Sequence, residues 1–132
     1  MESNQIEILL VEDNPVNRKL AMFMLTKAGY QLDIARNGKE AVEKYTSAPD
    51  KYDLVFMDIQ MPEMDGREAA KKIRQMETDS SIPIIAMTAE SMKGDEEKCL
   101  EAGMNDYISK PIRREIVFEM IEKWVIKRTQ NA

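Results

Sequence analysis

The sequence predicts an α/β fold in which a doubly wound parallel sheet carries helices on both faces. Three observations predict it. The short apolar runs IEILLV (6–11), LVFM (54–57) and IPIIAM (82–87) are rich in branched residues and do not alternate with polar ones, which is the pattern of strands covered on both sides. Segments of helical period separate these runs, and strand-helix-strand units with right-handed crossovers wind into a parallel sheet. A chain of 132 residues, 43% of them apolar, can bury one core and has no room for two, so one domain is expected over 1–132 with its core at about 6–127.

The elements follow in order. IEILLV ends at Glu12 and Asp13, and Asn14 with Pro15 makes a helix cap followed by proline in the first turn. Leu20, Ala21, Met24, Leu25 and Ala28 form the packing face of the first helix, and Gly29 suits a left-handed C-terminal cap. QLDIA (31–35) reads as a weaker second strand, followed by a helix faced with Ala41, Val42 and Tyr45. LVFM runs into Asp58 and a loop, after which Asp65 caps a helix starting near Gly66 and packing through Ala69, Ala70, Ile73 and Met76.

The helix expected near 91–102, SMKGDEEKCLEA, is the least apolar, with Met92, Cys99 and Leu100 as anchors. Gly94 weakens it by about 0.5 to 1 kcal/mol relative to alanine, so it reads as a lightly held surface element. DYIS (106–109) is a short fifth strand, and Ile116, Val117, Met120, Ile121, Trp124 and Val125 are the stripe of a last helix.

Composition excludes several functions. With 24 acidic residues against 19 Lys plus Arg the net charge is -5, which argues against a phosphate-backbone footprint and so against direct nucleic-acid binding. Lys71 with Lys72 and Arg113 with Arg114 read as solvated helix faces. There is no leader and no apolar run near the roughly 20 residues of a membrane span, and a single cysteine, Cys99, precludes an internal disulfide, so a soluble, cytoplasmic protein is expected. The chain has no histidine, which removes imidazole triads and imidazole zinc sites and leaves Cys99 as a small packing residue.

In an open parallel sheet the functional crevice lies beyond the carboxyl ends of the strands. Those ends deliver Glu12 and Asp13, then Asp58, then Thr88, with Lys110 in the loop after the fifth strand. Taken singly, such acids are turn or cap residues, such a Thr bonds locally and such a Lys is solvated. Together they converge on one place, where three carboxylates repel unless a cation sits among them. Mg2+ fits best, because two carboxylates, a loop carbonyl and several waters complete an octahedral shell, whereas Ca2+ wants more protein ligands.

ILLVEDNPVNR, VFMDIQMPEMDG, IIAMTA and GMNDYISKPI, in that order and spacing, resemble the receiver domain of two-component response regulators across residues 6 to about 127. VEDNPVN, DIQMPEMDG and GMNDYISKP are most similar to receivers associated with hybrid histidine kinases. The resemblance implies a flavodoxin-like (βα)5 fold with strand order 2-1-3-4-5. It also implies that Asp58 takes a phosphoryl group from a phosphohistidine, that Asp13 and Asp58 hold Mg2+, that Glu12 supports it through water and that Gln60 lends a backbone carbonyl. Thr88 and Lys110 then bind the phosphoryl group, Tyr107 turns with Thr88, Gln60 and Glu90 flank the water that removes the phosphoryl group beside small Ala89, and the Lys110–Pro111 bond is cis. Glu12 stands where an aspartate is common in the family.

The implied partners are a histidine kinase or histidine phosphotransfer protein and a downstream protein target. With only RTQNA after the last helix no DNA-binding output domain is expected, so the signal leaves by protein contact or the chain belongs to a longer regulator or hybrid kinase. Such a domain catalyses only its own phosphorylation and dephosphorylation, switching the surface of the fourth helix, fifth strand and fifth helix. Two rivals share the fold. A haloacid-dehalogenase-type phosphohydrolase needs a second aspartate where this chain has Gln60, and a phosphorylation-independent interaction module tends to lose the acids, the Thr or the Lys, all present here. A nucleotide-binding reading lacks GxGxxG or a Walker loop.

Overall fold

A computed structural model of the chain describes residues 6–59, 61, 64–76, 82–88 and 95–126. Five strands, β1 (Glu7–Val11), β2 (Gln31–Ala35), β3 (Leu54–Asp58), β4 (Ile84–Thr88) and β5 (Asp106–Ser109), alternate with helices α1 (Pro15–Lys27), α2 (Gly38–Ser47), α3 (Gly66–Met76), α4 (Asp95–Glu101) and α5 (Arg114–Ile121). A π-helical turn, Glu122–Ile126, continues α5. The strands are parallel throughout and lie in the order β2-β1-β3-β4-β5, the expected doubly wound sheet.

Side chains of successive strand residues enter opposite layers. Leu9, Val11, Val55, Met57, Ile84 and Ala86 pack with Ala41, Val42 and Tyr45 of α2, Ala69, Ala70 and Ile73 of α3, and Cys99 of α4. Ile8, Leu10, Leu54, Phe56, Ile85 and Met87 pack with Ala21 and Leu25 of α1 and Val117 and Ile121 of α5. β1, β3 and β4 are thus sandwiched, which is why their sequences run apolar without alternation.

The helix boundaries follow local chemistry. Asn14 caps α1, its side-chain oxygen accepting from the amides of Val16 and Asn17, and Pro15 opens the helix. Gly29 at φ 96° closes it, with the Tyr30 amide returning to the Leu25 carbonyl. Asn37 caps α2 through the Glu40 amide, and Asp65 does the same for α3 through the Glu68 amide.

Four residues assigned to packing faces are exposed: Leu20, Met76, Leu100 and Ile116. Each stands at the margin of its helix's apolar arc, one residue from a buried neighbour or at the helix end. On α1 the consequence is a second apolar stripe at helical spacing, Val16, Leu20 and Phe23, that faces outward, with Leu20 59% and Phe23 66% exposed. The buried anchors under α4 are Cys99, Ala102 and Met104, while Met92 and Gly94 lie outside the described residues. Among the described residues no helix is long and apolar enough to cross a membrane.

Candidate phosphoryl-transfer site

Parallel register brings the predicted residues together. Val11 pairs with Met57, which sets Glu12 beside Asp58, and Thr88 pairs with Ser109, so Lys110 follows directly onto the same edge. The Lys110 amide donates to the Thr88 carbonyl at 2.7 Å, and the Lys110–Pro111 bond is cis as expected. Glu12 (2% exposed), Asp58 (2%) and Thr88 (5%) are the buried polar and charged residues among those described.

Carboxylate oxygens of Glu12, Asp13 and Asp58 all lie within 4.8 Å of one another. The Lys110 ammonium enters this cluster, 2.9 Å from Glu12 Oε1 and 3.2 Å from Asp58 Oδ2. Burial alone pushes the Lys110 ammonium down, but the hydrogen bond to Glu12 and the charges of Asp58 and Glu12 outweigh it and hold it above its ordinary value. Glu12 is further fixed by the Asn14 amide, which donates to its Oε2 at 3.2 Å. The donor set suits a hard divalent cation: three clustered carboxylates, two of them buried, and all-oxygen ligation.

Thr88 donates its hydroxyl to the Ile108 carbonyl at 3.4 Å, a long bond that a better acceptor can displace. Tyr107 is partly buried and packs against the core layer under α2 to α4. Gln60, Ala89 and Glu90 lie outside the described residues.

Two residues near the site carry roles that sequence spacing alone did not assign. Arg18 Nη1 donates to the carbonyls of Glu12 (3.1 Å) and Asp13 (3.3 Å). Gly66 presses its backbone against the end of β3: a methyl group there collides with the Asp58 carbonyl oxygen and comes within 2.8 Å of Ile59 Cα. The Asp-Gly pair in MPEMDG was the available signal for the second, because a glycine just after a cap often marks close backbone approach.

Next to the site, a groove of about 640 Å³ runs between α1 and the β5–α5 connection, reaching from Leu20, Phe23 and Phe118 to Glu12 and Lys110.

A family model described as the response regulator receiver domain matches residues 8–122. The chain is 44% identical over 126 residues to hybrid signal transduction histidine kinase I of Dictyostelium discoideum, covering 92% of this chain and 7% of that protein. Among solved structures, a receiver domain of a Pseudomonas aeruginosa PAO1 sensor histidine kinase, with a magnesium ion coordinated in its active-site cleft, superposes with TM-score 0.80 at 42% identity, covering 90% of this chain and 96% of that one. A co-crystal of a Saccharomyces cerevisiae histidine phosphotransfer protein with the receiver domain of its downstream response regulator gives TM-score 0.85 at 32% identity, with 94% and 91% covered. The chain spans only 5 to 7% of the length of the Dictyostelium relatives it matches.

Proposed function

Because the chain belongs to the response regulator receiver domain family, we propose that it accepts a phosphoryl group on Asp58 from a phosphohistidine of a histidine kinase or phosphotransfer protein. The observation that carries this reading is the placement of Asp58 among Glu12, Asp13 and the Lys110 ammonium, a nucleophile beside a fixed cation in a cluster whose remaining negative charge suits a divalent metal.

Phosphoryl transfer needs an in-line nucleophile and positive charge for the equatorial oxygens. An oxygen of Asp58 forms the new P–O bond as the P–N bond of the phosphohistidine breaks, and the electron pair of that bond leaves with the imidazole nitrogen, which takes up a proton. Lys110, already 3.2 Å from Asp58, pairs with the incoming phosphoryl oxygens. Asp13 and Asp58, supported by Glu12, would hold Mg2+, which would supply the remaining positive charge, with the Gln60 backbone carbonyl the further ligand that the resemblance implies. The acyl phosphate carries about -2 where the carboxylate carried -1 and offers acceptor oxygens to Thr88. Thr88 then exchanges its long bond to Ile108 for a charged acceptor, Tyr107 follows into the space released, and the surface of α4, β5 and α5 changes. Hydrolysis by water in line with phosphorus reverses the modification, a step in which the family resemblance gives Gln60 and Glu90 a modulating role.

The groove between α1 and α5 supports a folded protein as donor, since exposed apolar side chains border Glu12 and Lys110 where a phosphohistidine must arrive. The output is contact with a downstream protein in the cytoplasm, within one receiver domain spanning the chain, without direct nucleic-acid binding.

The test is intact-mass measurement after incubation with Mg2+ and a small phosphodonor. One added phosphoryl group, absent from Asp58→Asn, is the expected result. Label on Ser or Thr, or label undiminished in that variant, rejects the assignment, and repeated release of phosphate from an external ester favours a phosphohydrolase instead.

A further inference from the structure

The loop Glu12–Asp13–Asn14 supplies two of the three clustered carboxylates yet lies past the end of β1, where the sheet ladder no longer holds it. Its main chain is held in other ways. The Glu12 amide donates to Ala35, the Asn14 amide to the Glu12 side chain, and the Asn14 carbonyl accepts the Arg18 amide as the first bond of α1. The carbonyls of Glu12 and Asp13 both accept from one guanidinium nitrogen of Arg18. Hydrogen bonds from a charged donor are stronger than neutral ones, so the pair restrains a short loop.

We propose that Arg18 is a positioning residue for the divalent-cation site, fixing the backbone of Glu12 and Asp13 so that both carboxylates are presented to the metal. The inference rests on the reading of Glu12, Asp13 and Asp58 as a Mg2+ site. The backbone of Arg18 is itself anchored by the hydrogen bond its amide donates to the Asn14 carbonyl, so the guanidinium is delivered from the first turn of α1. Both carbonyl dipoles point to that guanidinium. Supporting groups of this kind alter metal affinity about 10- to 100-fold when removed.

Electrostatics alone predicts the opposite effect. Deleting a cation near a dication site strengthens Mg2+ binding, whereas releasing the loop weakens it, so the direction of the change separates the two. The experiment is calorimetric titration of the whole chain with MgCl2, for the native sequence, Arg18→Met and Arg18→Lys, with thermal unfolding of each recorded without Mg2+. Arg18→Met is expected to weaken Mg2+ binding about 10-fold while remaining folded at the assay temperature, and Arg18→Lys to weaken it by a smaller factor because the charge stays but the shorter side chain reaches the two carbonyls less well. Unchanged or tighter binding in Arg18→Met overturns the proposal. Should Arg18→Met fail to fold, Arg18→Lys decides: weaker binding supports positioning, and binding equal to the native chain overturns it. A native chain that takes up no Mg2+ instead rejects the metal-site reading itself.

Discussion

The Lys110 ammonium stands 3.2 Å from Asp58 Oδ2 and, in the same position, 2.9 Å from Glu12, so one side chain bridges two buried carboxylates. A cation entering the cluster therefore competes with Lys110 for these oxygens. Lys110→Ala is expected to bind Mg2+ more tightly and yet to be phosphorylated about 10² to 10³ times more slowly, the range seen when one preorganised electrostatic donor is removed. Stopped-flow phosphorylation alongside Mg2+ titration checks both signs; a variant phosphorylated at the native rate removes Lys110 from the transfer step.

Gly66→Ala is expected to destabilise the fold by about 1 to 3 kcal/mol, as overpacking does, because the new methyl group meets backbone atoms of Asp58 and Ile59 that have no side-chain freedom to yield. The displaced atom belongs to Asp58, the proposed phosphoacceptor, so phosphorylation should slow even in the folded fraction. Urea unfolding paired with phosphorylation per folded molecule measures the two effects separately, and a stable, fully active variant would contradict the close approach.

Asp33 on β2 accepts from Lys44 (2.8 Å), from the Tyr52 hydroxyl (2.6 Å) and from Lys51 (3.4 Å). Burial alone raises its carboxyl, but the bonds from Lys44 and Tyr52 and from the Ile34 amide prevail and hold it well below the carboxylate range. The folded state thus binds this proton less readily than the unfolded chain. Its contribution is complete above the unfolded value near 4 and fades as pH falls from there toward the lower folded value. Asp33→Asn is expected to cost about 2 kcal/mol near neutral pH, with the gap to the native chain narrowing below about pH 4. Urea midpoints across pH test this, and a gap independent of pH would exclude ionisation of Asp33 as its source.

Asp106 links Tyr107 to the π-helical turn Glu122–Ile126 that continues α5. One carboxylate oxygen accepts the Tyr107 amide at 2.9 Å, and the other accepts the Trp124 indole N–H and the Lys123 ammonium, each at 3.0 Å. Trp124 is the single tryptophan, so its emission reports on this junction alone. Saturation with beryllofluoride and Mg2+ is expected to shift that emission, and Asp106→Ala to abolish most of the shift. An equal shift in the variant would show that Tyr107 and Trp124 respond independently.

Much of this was legible in the sequence. QLDIA and DYIS form strands over the expected residues, and Asn14, Gly29 and Asp65 terminate helices as their chemistry dictates. Strand ends are easy to read because a buried apolar run stops where polar residues begin, and that placed Glu12, Asp58 and Thr88. Leu20, Met76, Leu100 and Ile116 were misplaced for the converse reason: helical period defines an arc, but its margins depend on which neighbouring helix lies alongside. Arg18 and Gly66 escaped because their roles exist only across space, between a helix and a loop or a helix and a strand end.

The sheet order assigns the site's halves to strands of unequal restraint. Glu12, Asp13 and Asp58 extend from β1 and β3, each bonded to a neighbour on either side, whereas Tyr107 lies in β5, a strand bonded on one side only, and Lys110 directly follows it. Edge segments open at lower free energy than central ones. Amide exchange should therefore be slow where ions are gathered and fast where their arrival is registered, so that reporting can loosen and reform while capture holds.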